Sequence, residues 1–202
     1  MINRRQLTIG STLAMAAAVP PFFSPANAAE INDEGLHVQD WFLQTFLEIG
    51  EDQKEMSEQN KHLAILFEQK GCPYCRELHT VNLANEKTVG YLKQNFGVLQ
   101  INMWGSKMVT DIDGSEMEEK EFARKWRVNF TPTIIFLRQG DLEGIPKNLA
   151  EATRMPGYLK PFQFVSMFEY VAGKHYEEQN FQKYLKEKVE KLKAEGNLPD
   201  VL

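Results

Sequence analysis

Apolar side chains recur along this chain in two rhythms, and Gly and Pro punctuate the changes. Between Val38 and Leu47, apolar residues at 38, 41, 42, 43, 46 and 47 have helical spacing and predict a helix. The polar stretch from Glu48 to Lys61 would finish that helix and turn the chain. His62 to Phe67 is a short apolar run of strand length, followed by a polar loop from Glu68 to Gly71. Pro73 opens a second helix, because its missing N–H would have no intrahelical partner there. Leu78, Val81 and Leu83 should line the buried side of that helix. Glu86 to Asn95 is the next helix, with Val89, Leu92 and Phe96 as its apolar residues, and Val98 to Asn102 the next strand. Trp104 to Gly114 reads as irregular, with a turn at Asp111-Ile112-Asp113-Gly114, and Met117 to Trp126 as helical. Thr133 to Leu137 is a strongly β-prone run, Gln139-Gly140-Asp141 a hairpin signal, and a fourth strand is expected between Leu149 and Met155. Pro161 starts a helix through Val171, with Phe162, Val165, Phe168 and Val171 in register. The tail from Glu177 to Glu195 is amphipathic, with Phe181, Tyr184, Leu185, Val189 and Leu192 on one side.

The element order implies an α/β fold. Strand, helix, strand makes a parallel pair with a crossover, and the hairpin adds antiparallel strands. The result is a mixed central sheet with helices on both faces and a C-terminal helical extension. Residues 29–175 form the domain and residues 176–202 the amphipathic helix and tail. Residues 1–28 read as a cleavable export signal. Arg4-Arg5 is the only charge cluster there, an apolar stretch runs from Leu7 to Val19, and Ala26-Asn27-Ala28 is a small-x-small cleavage site. Asn3-Arg4-Arg5-Gln6-Leu7-Thr8 resembles the twin-arginine export motif, departing from it at Leu7 and Thr8. A general secretory signal is the alternative. No other apolar run approaches the ~20 residues of a spanning helix. The mature chain is therefore expected in the periplasm, where dithiol–disulfide chemistry matters.

Composition narrows the function by exclusion. The 202 residues carry a net charge of −5, which lacks the basic footprint of a nucleic-acid binder. Two cysteines cannot build a multi-disulfide scaffold or a four-thiolate metal centre. Their placement is the informative part. Gly71-Cys72-Pro73-Tyr74-Cys75-Arg76 follows a predicted strand and opens a predicted helix. Unpaired N–H groups and the positive end of the helix dipole favour a thiolate there, so the Cys72 pKa should fall. The two-residue spacing sets Cys75 one turn along the same face, within bonding reach. Cys72, at the mouth, is the candidate nucleophile, and Cys75 the thiol that resolves a mixed disulfide.

Other readings of the pair stay open. A purely structural disulfide would close a tiny loop and restrain the unfolded chain little. A metal site could use Cys72, Cys75 and His79, but has no fourth ligand. A c-type haem would require His where Arg76 stands. Arg76 and Lys70 flank the cysteines and either support a thiolate or are solvated. Trp104 and Trp126 are expected in the core.

A second motif, Phe130-Thr131-Pro132-Thr133, stands at the entrance of a predicted strand, where Pro is tolerated. A strand, Cys-x-x-Cys at a helix start, then Thr-Pro-Thr before a β-hairpin resembles the thioredoxin superfamily over residues 35 to 175. The resemblance implies that Cys72 attacks, Cys75 resolves, Pro132 is a cis-proline against the disulfide, and Thr131 offers backbone groups to an extended substrate. Gly157, in Met155-Pro156-Gly157-Tyr158, matches a glycine that the superfamily keeps near the site. No further cofactor is implied beyond the redox-active Cys72–Cys75 pair. Leu66 stands where cytosolic thioredoxins have a buried Asp, and Glu68 is a weak substitute for it. Three stretches, Gln100 to Gly105, Ala123 to Thr133 and Pro156 to Val171, are similar to the periplasmic thioredoxins of bacterial sulfur-oxidation systems. That likeness implies reduction of a disulfide on a sulfur-pathway protein, such as a sulfur carrier, with a membrane electron-transfer protein as the reductant. A periplasmic oxidase or isomerase of folding proteins is one rival. A non-enzymatic module binding a partner or a metal is another.

Overall fold

The computed structural model describes residues 30–142 and 144–197, so the expected export signal lies outside the described residues. Its centre is a four-stranded sheet. In chain order, two short strands β1 (Glu30–Ile31) and β2 (His37–Val38) lead into helix α1 (Ile49–Glu58) and strand β3 (His62–Glu68). Helix α2 (Pro73–Glu77) continues into a π turn, Leu78–Asn82, and helix α3 (Glu86–Asn95) precedes strand β4 (Phe96–Asn102). A small hairpin, β5 (Met108–Thr110) and β6 (Glu116–Glu118), is followed by α4 (Glu119–Lys125) and β7 (Thr133–Leu137). Then come α5 (Lys147–Ala150), β8 (Glu151–Pro156), α6 (Pro161–Ala172), a 3-10 turn (His175–Glu177) and α7 (Phe181–Ala194). The sheet order is β4-β3-β7-β8, with β3 and β4 parallel and the other pairs antiparallel.

Strand side chains alternate between faces, and here both faces are dry. Leu63, Ile65 and Phe67 of β3 pack with Ile135 and Leu137 of β7 under α1 and α4. Ala64 and Leu66 pack with Ile134 and Phe136 under the π turn, α3 and α6. Burial on both sides explains why the strands read as continuous apolar runs. The mixed sheet with helices on both faces, and the terminal helix, are as expected.

Several local expectations fail, among them the irregular stretch and helix start around residues 108–118, which instead form the β5–β6 hairpin. The segment from Val38 to Leu47 is not a helix. It runs along the free edge of β4, with Leu43 N donating to Val98 O at 2.8 Å and Gln100 Nε2 to His37 O at 2.6 Å. Its apolar residues are shared between the two faces of the sheet: Phe42 joins one core, and Leu43 and Leu47 pack on the other. The helix is the polar stretch that follows, which buries Ile49, Asp52, Gln53 and Met56. Val81 is exposed, because the π turn shifts its register away from the inner side that holds Leu78, His79 and Asn82. In α6 the buried set is Phe164, Met167, Phe168, Tyr170 and Val171, rather than the register through Phe162 and Val165.

Candidate active site

Cys72 and Cys75 are joined in a disulfide at the start of α2. Cys72 is the N-cap residue, with extended backbone. Its Sγ accepts the Cys75 N–H at 3.1 Å, so a sulfur anion formed there keeps a backbone donor. Cys72 is 7% exposed and Cys75 2%, which makes Cys72 the sulfur a partner reaches first. Tyr74, between them, points outward at 59% exposure. Among flanking cations, Arg76 is exposed and the Lys70 stem lies over Gly35.

The loop before β7 closes over the disulfide. The Thr131–Pro132 peptide is cis. Thr131 Oγ1 donates to Cys72 Sγ at 3.3 Å, and Thr131 O lies 3.6 Å from the same sulfur. Gly157 has φ +83°, which favours glycine, and its N–H donates to Pro132 O at 2.8 Å. The structure thus brings Cys72, Cys75, Thr131, Pro132 and Gly157 into one site.

A buried polar cluster lies one turn behind Cys75. Glu68 ends β3 on the same face as Leu66, toward the helix, and is 1% exposed. It is a buried strand residue and not part of a polar loop. His79 Nε2 lies 3.0 Å from Glu68 Oε2, and Gln100 Nε2 donates to that oxygen at 2.5 Å. Gln39 Nε2 lies 3.2 Å from His79 Nδ1. An amide N–H can only donate, so Nδ1 accepts and the ring proton sits on Nε2, facing Glu68. Both ring nitrogens are thereby engaged within the protein, which takes His79 out of a metal-ligand role. Glu68 Oε1 is buried with no hydrogen-bond partner. The roles of His79, Gln39 and Gln100 were not legible in advance, since only the folded chain brings these positions together.

The site has an aromatic border. Tyr74 and Tyr158 stack with centroids 6.3 Å apart and planes 18° apart. The Tyr158 hydroxyl donates to Asn82 Oδ1 at 3.0 Å, and burial with the nearby Glu77 carboxylate holds its pKa above the usual phenol range. Trp126 is core, as expected, but Trp104 is 60% exposed, with its Nε1 donating to Gln69 Oε1 at 2.6 Å. Trp104 follows β4 at the open end of the sheet, where none of the described elements covers it.

A family model described as a thioredoxin-like domain matches residues 49–172. No curated protein matches the chain. A thioredoxin-fold protein from Helicobacter pylori aligns with 22% identity and a TM-score of 0.53, covering 74% of this chain and 99% of that one. The periplasmic thioredoxin SoxS from Paracoccus pantotrophus aligns at 18% identity and TM-score 0.38, over 57% of this chain and 99% of that one. The C-terminal domain of DsbD from Neisseria meningitidis aligns at 11% identity and TM-score 0.40, over 62% and 97%.

Proposed function

Given that the chain belongs to the thioredoxin-like domain family, we propose that it is a periplasmic thiol–disulfide oxidoreductase that reduces a disulfide on a protein of a sulfur-oxidation pathway. The observation that carries this reading is the asymmetry of the pair: Cys72 is the more exposed sulfur, and it takes the Cys75 N–H and the Thr131 hydroxyl. A structural crosslink needs no such asymmetry. The three sequence stretches similar to sulfur-oxidation thioredoxins support the choice of pathway, and the signal-like residues 1–28 support the compartment.

In the reduced protein, the Cys72 thiolate attacks one sulfur of the partner's disulfide. That S–S bond breaks, Cys72 becomes joined to the partner, and the other partner sulfur leaves as a thiolate and takes a proton. Cys75 then gives up its proton and attacks Cys72 Sγ. The partner's second sulfur leaves, two electrons now reside on the partner, and Cys72–Cys75 is a disulfide again. Glu68 Oε1, buried and without a donor, is the group we assign to receive the Cys75 proton, with His79 and Gln100 holding the carboxylate in place. Thr131 and Pro132 would flank the partner's backbone. A dithiol of a membrane electron-transfer protein restores the reduced form by the same steps in reverse.

Two cysteine variants test the assignment. Cys75→Ser should accumulate a covalent adduct with its partner, which also identifies the substrate, and Cys72→Ser should abolish insulin reduction. If both variants reduce disulfides like wild type, the catalytic assignment fails. Redox titration of the pair gives the direction of flow. A potential near about −270 mV fits a reductant, and one near about −120 mV would make the protein an oxidant instead.

A further inference from the structure

Among the described residues only four aromatic side chains are mostly exposed, namely Phe46, Tyr74, Trp104 and Phe130. Three of the four lie around the disulfide, Trp104 and Phe130 on loops and Tyr74 in the first turn of α2. Trp104 follows β4 and is bonded to Gln69 of the loop leading to Cys72. Tyr74 lies between the cysteines, and Phe130 immediately precedes the Thr131 that touches Cys72 Sγ. Half-buried Tyr158, after β8, stacks on Tyr74.

The sheet sets their order in space. The register pairs Glu68 with Asn102, Phe67 with Thr133, and Thr133 with Pro156, so one end of the sheet gathers all four segments. Across the strand ends β4-β3-β7-β8 the chain carries Trp104, then the cysteines with Tyr74, then Phe130, then Tyr158, whose ring reaches back onto Tyr74. Neighbouring strands lie about 4.8 Å apart, so the border extends about 14 Å, roughly four residues of extended chain. Large aromatic surfaces left in water forgo burial energy, and when clustered they mark a contact surface. Tyr and Trp are also the side chains that most often dominate protein interfaces.

We propose that Trp104, Tyr74, Phe130 and Tyr158 form a specificity rim for a protein substrate whose reactive cysteine lies in an extended segment, with bulky apolar side chains on both sides of it. The inference rests on the oxidoreductase reading and adds the substrate class. The rim continues outward from the reacting sulfurs, so its occupant is the segment that carries the attacked disulfide. A compact disulfide with no flanking side chains reaches Cys72 but leaves Trp104 and Tyr158 in water.

The test uses the full mature chain and three probes: hydroxyethyl disulfide and two disulfide-bonded peptides. The peptides differ only in carrying Leu and Phe, or Ser and Ser, on either side of the cysteine. Wild type should favour the Leu/Phe peptide by about tenfold in kcat/KM, the 1.4 kcal/mol expected of one good interface contact. Trp104→Ser and Phe130→Ser should each remove most of that preference, and Trp104→Phe should restore it. Leu149→Ser alters an exposed apolar residue where α5 meets β8, at the far end of the sheet, and should keep the preference. Equal rates on the two peptides by wild type, or a preference untouched in both rim variants, would overturn the rim. Failure of wild type to reduce any of the three probes would overturn the oxidoreductase reading itself.

Discussion

Glu68 shows how much a single residue's placement decides. A buried carboxylate with one unpartnered oxygen costs stability, and that open oxygen is where a proton can be taken up. Glu68→Gln keeps the shape and removes that capacity. We expect mixed-disulfide resolution to slow about tenfold near pH 7, with the gap narrowing as pH rises and hydroxide takes over the deprotonation of Cys75. Stopped-flow decay of a preformed Cys72 adduct, followed against pH, checks this. Identical profiles for variant and wild type would remove Glu68 from the mechanism. At this scale the sequence was partly legible. Cys72, Cys75 and Pro132 announce themselves because local spacing carries their meaning. Glu68 looked like the first residue of a polar loop, since nothing in its neighbours says that the strand runs one residue further and buries it. His79 and Gln39 lie on other elements and meet only in three dimensions.

The elements were legible where their apolar pattern answers to one environment. β3 and β7 are buried on both faces, and their runs of β-prone residues fall where the strands do. The stretch before α1 misleads because its apolar residues are divided between the two cores, Phe42 in one and Leu43 and Leu47 in the other, while the backbone stays irregular. Leu47 has φ +61°, a left-handed conformation that ends any regular path. Thr45 holds this bend: its hydroxyl accepts Leu47 N–H at 3.1 Å and donates to Asp52 of α1 at 2.8 Å. Burial above all raises the Asp52 pKa from 3.8 to about 6, the Thr45 bond opposes it, and Glu55, Glu48 and Glu51 add to it. The folded pKa lies above the unfolded one, so the folded state binds this proton more tightly. The stability it confers is complete below about pH 4 and is lost as pH rises through about 6. Asp52→Asn should therefore stabilise the protein at pH 7 by about 2 kcal/mol, or about 5 °C in Tm, and give no gain at pH 4. Thermal melts of both proteins across that range test it. A constant offset would show that the charge is not the cause.

At the scale of the whole molecule, the redox site lies at one end of the sheet, and the start of the C-terminal helix, at Phe181 and Tyr184, lies toward the other. Helix α7 lies beyond the residues of the family match and docks through Phe181 and Tyr184 on Tyr170 of α6. Lys188 adds an ion pair to Glu169, a hydrogen bond to Ser166 and a cation–π contact with Phe162. The neighbouring Tyr176 meets His62, the first residue of β3, whereas Cys72 follows that strand's last. Tyr184→Ser should therefore lower Tm by several degrees, the cost of about 1–3 kcal/mol of lost packing, and leave the insulin-reduction rate within twofold. A matching loss of rate would connect the two ends. The amphipathic face of this helix was legible from its spacing, but its docking site was not, because a helical period names the buried side without naming the partner. The account as a whole depends on Cys72 being ionised near neutrality in the reduced, folded chain while Cys75 is not. Brief iodoacetamide treatment at pH 6.5, followed by peptide mass spectrometry, measures this directly. Modification confined to Cys72 is the predicted result. Two unmodified thiols, or modification of Cys75 first, would contradict it.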